Sequence, residues 1–560
     1  MSSVPLPMTG LSSDFHPLIS ALSCLHSGQN TSQEVQPQVN RQGRCGKHSE
    51  DQTRKIIDDL IIKLSDDLHH TGVTPAFVEA CLKEYFGRVS PCFPVIHEPT
   101  FPAQDCTPPL LLNMVALGSL FVCLPDSTRK GQMLWRLGHA GVATSWQTLI
   151  RLRGPKDQCD GVQLVLAALL GQIFAFLSSD PSIRTTAFAS QGLGFYWAKI
   201  SGMHMMNEFD MQKVPGLQAD IATKDAAWRT WSAVEVQRRA VLGHYILDGL
   251  LSQASGSTTN TRHALNTIKT ACSDAAFAAE TADEWITEML QLRGPPIPFS
   301  ELFVKICAPD YATMRVQLSR FSTSVLLEGL QCLIAERYEV TSLPLGTVSR
   351  PQIIQGLLNI YETDLSTSHT IDSIQILIRW HAVCMELSTP TICLYRHICE
   401  LYKIPQVLSG IPRGQTPLFE LTTWSKSADA YRALLHAISI IGLVNEIPIG
   451  RMHALHLPGA LFASAVVLIA IHIQNKQMVR IPKRILWNKV WDSIGNGSKD
   501  YRPGADQAGL SANPGEVLMT SVDLMHEVNF LRMNLRTISS RWWISAQMEE
   551  VIGRLVVLAT

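Results

Sequence analysis

Cys24, His26, Cys45 and His48 are residues of the types that bind zinc. A Cys-Cys-His-His finger needs two cysteines a few residues apart and then two histidines on a helix, because four ligands must meet tetrahedrally. Here each pair is one cysteine and one histidine, set among glycine and glutamine. No apolar residues between them could form a small stapled core, so neither a metal site nor a cofactor is expected. A six-cysteine zinc cluster is absent: no two of the 13 cysteines are separated by two residues. They read as reduced, mostly buried thiols. His69-His70 closes an amphipathic stretch, where polar residues suit the end of a helix dipole. Gly192 and Gly194 supply two glycines of a dinucleotide loop but not the third, and no strand precedes them. There is no Gly-x-Ser-x-Gly elbow and no phosphate loop. His381 and His397 lie among apolar helical residues and read as core histidines. No nucleophile, base or carboxylate pair emerges, and the chain is not expected to be an enzyme.

The charges that demand an account lie in Trp228–Leu251, WRTWSAVEVQRRAVLGHYILDGLL. Trp231, Val234, Arg238, Val241, Tyr245 and Asp248 recur at spacings of three and four, which places them on one helix face. Arg238 and Asp248 thus interrupt an apolar stripe. A buried charge costs several kcal/mol unless paired, so each requires a fixed partner. Glu235 stands three residues before Arg238 and four before Arg239, within reach of both. Glu235, Arg238, Arg239 and Asp248 are therefore the candidate positions, as structural or regulatory ion pairs.

The elements that must hold them are helices. Of 560 residues 46% are hydrophobic and 17% charged, enough for a large core, and the net charge of −1 excludes a whole-chain nucleic-acid footprint. Residues 1–52 read as a flexible polar tail, with a short helix at Leu18–Leu25. Ile57, Leu60, Ile61, Leu64 and Leu68 follow at helical spacing. Thr74-Pro75 opens a helix through Phe86, with Thr74 as N-cap. Pro91–Pro102, with four prolines, predicts an extended linker packed on the surface, whose Phe93, Ile96 and Phe101 dock into grooves.

Helical spacing continues over 108–124, 129–152, 160–177, 183–202, 225–252, 261–279, 281–292, 299–308, 310–338 with a break, 350–363, 370–387, 389–403, 425–446, 456–475, 515–538 and 541–558. Strand alternation is scarce, and Asn496–Asn513 reads as an exposed loop. The fold class is all-α, a large irregular multi-helix domain, with halves at 53–293 and 294–560. Leu457–Ile471 is apolar for 15 residues. That falls short of the roughly 18–20 a spanning helix needs, so it reads as a core helix.

Four segments together resemble the fungal-specific transcription factor domain, the middle homology region. They are Tyr85-Phe86 with Phe93–Phe101 (FPVIHEPTF); Val162–Leu177 with Ala187–Gly202; Trp228–Leu251; and Ala271–Ala275 with Asp283-Glu284-Trp285. The last resembles members that carry N-terminal Cys-Cys-His-His fingers, as does His436–Pro458. The chain departs from the pattern at Ala240-Val241, where an aromatic is usual, and at Gly256-Ser257-Thr258, where glycine-proline often stands. The resemblance covers roughly residues 50–555. It implies a nuclear regulator of a metabolic or biosynthetic gene set.

The zinc fingers that usually precede this domain are absent from the sequence. The first 50 residues hold only Arg41, Arg44 and Lys47 as fixed positive charges. Direct readout needs a helix or ribbon in the major groove with several basic residues. The expectation is therefore indirect contact with promoter DNA, through a DNA-binding transcription factor or a homodimer partner, with room for a small-molecule effector and no membrane role. A helical metabolite-binding or scaffolding protein without a transcriptional role is the alternative.

Overall fold

Thr74 and Pro75 begin the first described helix, α1 (Pro75–Glu84). The Thr74 hydroxyl accepts from the Phe77 amide at 3.2 Å and Pro75 occupies the first turn. The computed structural model describes residues 73–559 apart from 102–104, 179, 293, 310, 312–315, 340–347, 367–369, 407, 409–419, 452–453, 475–478 and 493–515. The histidine and cysteine pattern of the tail, Arg41, Arg44 and Lys47, the expected helices at 18–25 and 57–68, His69-His70 and the loop at 496–513 lie outside the described residues.

The helices run in order α2 (Pro108–Ser119), α3 (Ser127–Leu149), α4 (Val162–Phe176), α5 (Pro181–Ala189), α6 (Leu193–Ile200), α7 (Ile221–Ser255), α8 (Asp274–Ala278), α9 (Ala282–Leu290) and α10 (Phe299–Ile306). After these come α11 (Arg320–Glu339), α12 (Arg350–Ile360), α13 (Ile371–Ser388), α14 (Thr391–Leu401), α15 (Leu421–Ser425), α16 (Ala428–Glu446) and α17 (Leu457–Gln474). The chain ends with α18 (Trp487–Asp492), α19 (Ser521–Ile538) and α20 (Ile544–Ala559). A small antiparallel pair, β1 (Val479–Pro482) and β2 (Glu516–Met519), joins Val479 opposite Met519. The architecture is all-α and irregular.

One apolar core extends from Phe77 to Leu555. At its centre is α7, 35 residues long, in which every residue from Gln237 to Ser252 is buried. The three-and-four spacing marked one buried face, but α4 and α6 cover one side of this helix while α11 and α14 cover others. It ends at Gly256, whose φ of 65° is the left-handed conformation that terminates a helix without steric cost. A satellite cluster packs Trp228 and Trp231 against Phe277, Trp285, Ile286 and Met289. The apolar helix α17 is long enough to cross a membrane by composition, but it is buried from Leu457 to Ile471 except at Gly459.

The reading of 515–538 as one helix is corrected at its start, where Glu516–Met519 forms β2 and the helix begins at Ser521, and three further stretches differ from the reading by pattern. Residues 91–101 are not one extended linker: Pro91, Glu98 and Pro99 are exposed, while Phe93 and Ile96 dock inward as read. Ser90–Cys92 completes a helical turn, and Phe93, Val95, Ile96 and His97 are buried. Gly243 lets both α4 and this segment approach α7, because a methyl there would stand 2.6 Å from Leu169 and 3.3 Å from each of Phe93 and Val95.

Residues 261–279 are not one helix. They contain a turn at His263–Leu265, an extended run and then the short α8. Ala264, Ile268 and Ala271 imitate helical spacing, but side chains take up the backbone amides instead. Asn266 accepts from the Ile268 amide, Ser322 from Ala271 and Glu235 from Cys272. The third stretch, 183–202, breaks into α5 and α6 around Ser190–Gly192.

Helix α2 lies close on α1 at Gly118. A methyl group at that position would sit 1.8 Å from the Cys81 carbonyl oxygen, a backbone atom that cannot rotate away. Gly118→Ala should therefore destabilise the chain by about 2 kcal/mol or more, the upper part of the range for overpacking. Urea unfolding followed by circular dichroism would measure it.

Candidate functional site

Glu235 is buried in the middle of α7, and its two carboxylate oxygens serve different partners. Oε2 accepts from Arg238 Nη1 at 2.5 Å. Oε1 accepts from Arg239 Nε at 2.9 Å and from the Cys272 amide at 2.9 Å. The other ends of the guanidinium groups reach outward. Arg239 donates to the Pro94 carbonyl at 3.1 Å and to the Cys272 carbonyl at 3.1 Å. Its plane lies over Phe277, 3.8 Å from the ring centre, and beside Phe321.

Arg238 donates to Glu208, whose other oxygen is 3.7 Å from Lys269 Nζ. Burial would lower the Arg238 pKa, but Glu235 and then Glu208 outweigh it and hold the guanidinium above its ordinary value. One carboxylate thus fastens α7 to the 93–101 segment, to the loop before α8 and to the loop carrying Glu208.

Asp248 lies 13 residues further along α7, about 20 Å away at the helical rise, and does not join the Glu235 group. It accepts from Gln191 Nε2 at 2.7 Å, from the Asn260 amide at 3.1 Å and from the Thr261 amide at 3.3 Å. His263 Nε2 is 3.2 Å from Oδ2, the oxygen that also accepts from the Thr261 amide. Asp248 therefore pins the loop that follows α7 and the junction of α5 with α6.

A third buried ionic pair escaped the sequence reading. Glu328 of α11 accepts from Arg379 of α13 through both oxygens at 2.6 Å, and Arg379 also donates to Gln253 at 2.5 Å. The Glu328 carboxyl is pushed up by burial, against the lowering effect of Arg379. The signal was present: each residue is a lone charge in an apolar helical run. Glu208, the Pro94 carbonyl and the Cys272 backbone carried no such signal.

Two cavities flank the Glu235 group. One of ≈ 760 Å³ is bordered by Glu208, Glu235, Arg238, Trp231 and Cys272. The other, ≈ 670 Å³, is bordered by Arg239, Arg320, Glu328 and Arg379. Next to them, His97 Nδ1 is 2.8 Å from the Thr100 hydroxyl, which is 3.1 Å from the Ser232 hydroxyl. The His97 ring packs edge-on against Trp228, Trp231 and Phe277. Burial pushes its pKa down to about 4, and Arg239 adds to the shift.

This arrangement can organise loops and hold charge. It aligns no nucleophile with a base. Among the described residues no group of three His, Cys, Asp or Glu could hold a metal ion. Burial raises the Cys272 thiol to about 12, so it is protonated at neutral pH. His381 is a buried core residue whose Nδ1 lies 2.9 Å from His436 Nδ1, and burial pushes its pKa down to about 3. His397 is half-buried on α14.

Residues 82–307 match the family model of the fungal specific transcription factor domain. The matched span holds Glu235, Arg238, Arg239 and Asp248. No curated protein and no solved structure matches the chain.

Glu235→Gln would leave two buried arginines without their shared carboxylate. The expected loss is about 3–5 kcal/mol of unfolding free energy, as for other broken buried pairs. Glu208→Gln, at an exposed position, should cost about 1 kcal/mol or less, as for an exposed pair; urea unfolding compares the two. His97 titrates near 4 in the folded chain, and its ordinary value is 6.5. Between those values the unfolded chain binds a proton that the folded chain does not. Its contribution to stability is therefore complete above pH 6.5 and declines as the pH falls toward 4. His97→Asn should flatten the slope of unfolding free energy against pH in that window by about one proton.

Proposed function

From the premise that this chain carries a fungal specific transcription factor domain, we propose that it regulates or co-regulates a fungal metabolic or biosynthetic gene set from within the nucleus. The family match carries this reading. The chain's contribution is a large helical body, alone or as a homodimer, and its contact with promoter DNA runs through a DNA-binding transcription factor. Two features of the sequence support that indirect route. Its net charge is −1, whereas duplex DNA is bound chiefly by clustered Lys and Arg. No pair of cysteines has the spacing that opens a zinc finger.

Glu235, Arg238 and Arg239 form the regulatory core of this proposal, and Asp248 a second anchor on the same helix. The carboxylate of Glu235 holds three separate segments, and cavities lie on both sides of it. A ligand or partner group that filled either cavity would bear directly on those ion pairs. No charged pair here is placed for acid–base or nucleophilic work, and the domain is that of a regulator.

Titration of the purified chain onto labelled genomic promoter fragments at several salt concentrations tests the indirect route. The expected result is weak binding that disappears near physiological salt. Tight, sequence-selective binding with a steep salt dependence would sink the partner-dependent reading. A fluorescent fusion imaged in a fungal host should concentrate in the nucleus; steady exclusion from it would remove the transcriptional role.

A further inference from the structure

The surface over α3 and α6 carries an apolar strip that the core does not use. On α6, Leu193, Tyr196 and Ile200 are 44%, 52% and 53% exposed, and their spacing of three and four puts them on one face. Beside them on α3 run His139, Ala143, Trp146 and Ile150, again three or four residues apart. The ring centres of Trp146 and Trp197 are 6.2 Å apart. At the far end of both helices, a methyl on Gly161 would meet the Ile150 carbonyl and the Ser201 hydroxyl together. The two helices therefore run side by side in the same direction, with a groove of ≈ 320 Å³ between them. Single exposed apolar residues are ordinary, but a contiguous strip of them marks a contact surface. The charges around the strip have one sign: residues 143–156 and 191–205 contain no Asp or Glu. Arg151 and Lys199 stand exposed at the end of the groove where Ile150 and Ile200 lie. The occupant that fits is an amphipathic helix with acidic residues, laid into the groove on its apolar face.

This chain carries such a segment. Ile57, Leu60, Ile61, Leu64 and Leu68 have the spacing of one helix face, and Asp58, Asp59, Asp66 and Asp67 lie among them. By helical geometry, Asp58 and Asp67 border that face on opposite sides. A helix over 57–68 is about 16 Å long, the length of α3 from His139 to Ile150. Leu68 stands five residues before Val73, the first described residue, a reach of up to about 17 Å. Lys130 Nζ lies over the Phe77 ring, 5.1 Å from its centre, so the starts of α1 and α3 are adjacent. From Lys130 to His139 is about 14 Å along α3. The tether thus reaches the His139 end of the groove and sets a direction, with Leu68 toward His139 and Ile57 toward Ile150. That direction brings Asp58 and Asp59 to Arg151 and Lys199, where opposite charges steer and orient the contact.

We propose that residues 57–68 of the same chain dock as a helix in the groove between α3 and α6. While the segment is seated, the groove is closed to a helix from any partner. The site is distinct from the Glu235 cavities, and the docking does not depend on the chain's role in transcription.

Photo-crosslinking on the purified full chain tests the proposal. The photoreactive residue p-benzoylphenylalanine replaces Tyr196 in one variant and Leu193 in a second. Both positions are exposed, and the melting temperature serves as the check on folding. Irradiation, digestion and mass spectrometry then identify what lies over the groove. The linked peptides should come from residues 57–68. In an equal mixture of isotope-labelled and unlabelled chains, each linked pair should be wholly heavy or wholly light. Leu60→Asp with Leu64→Asp puts two carboxylates on the face that enters the groove and should lower the yield at least about tenfold, because neither charge has a partner there. Links to any other segment, links between a heavy and a light chain, or no link from either position would overturn the proposal. So would an undiminished yield in the Leu60→Asp, Leu64→Asp chain, since tethered proximity alone would then explain the link.

Discussion

The carboxylate of Glu235 is the constraint on which this half of the molecule depends. Isolated charges do not survive burial, because the water they give up is worth several kcal/mol per ion. Here one buried anion meets two buried cations, and each cation spends its remaining donors on something other than Glu235. Arg239 turns them to the carbonyls of Pro94 and Cys272, and Arg238 turns to Glu208. The backbone groups thus paired belong to segments with no ladder of their own. The 93–101 stretch is rich in proline, and residues 269–273 are extended with a single bridge to Pro298. A buried backbone carbonyl must find a donor, and guanidinium groups fixed by Glu235 provide it.

The same device recurs at two further levels of the core. Asp248 receives the amides of Asn260 and Thr261, where the chain leaves α7. Glu328 and Arg379 join α11 to α13 and reach Gln253 near the end of α7. Apolar packing alone could bring these helices together, but it is non-directional and tolerates sliding. A bidentate guanidinium–carboxylate pair has one geometry. The three ionic centres therefore define the register in which α7, α11 and α13 meet, and they set the paths of the irregular segments between helices.

What could be read in advance follows from what sequence encodes locally. Helix positions repeat every three or four residues, so α2, α4, α7, α13 and α17 were visible in the spacing of apolar residues. Caps such as Thr74 were visible from residue type. Glu235, Arg238 and Arg239 could be grouped because they lie within a single turn of helix. Their outer partners could not. Glu208 is separated from Arg238 by 30 positions and Pro94 from Arg239 by 145. A carbonyl oxygen, moreover, is present at every residue and marks none. Residues 261–279 show the converse error, since their apolar spacing is helical while their amides are claimed by Asn266, Ser322 and Glu235. Periodicity reports which residues are buried; it does not report which hydrogen bonds the backbone makes.

The position of the Glu235 group between two cavities gives it a property that an apolar contact would lack. Arg238 faces one cavity and Arg239 the other, while both answer to one carboxylate. A new anion near Arg238 would compete with Glu235 for that guanidinium and leave Arg239 with a larger share of the same charge. Electrostatic coupling of this kind acts over one turn of helix and needs no movement of α7 itself. It would be transmitted to the 93–101 segment and the Cys272 loop, because these are what Arg239 holds. A buried charge shared among connections between helices is a means by which occupancy of a cavity would alter the path of the segments that Arg239 holds. The ionic centre and the loops it holds are the physical unit to which such a response would be confined.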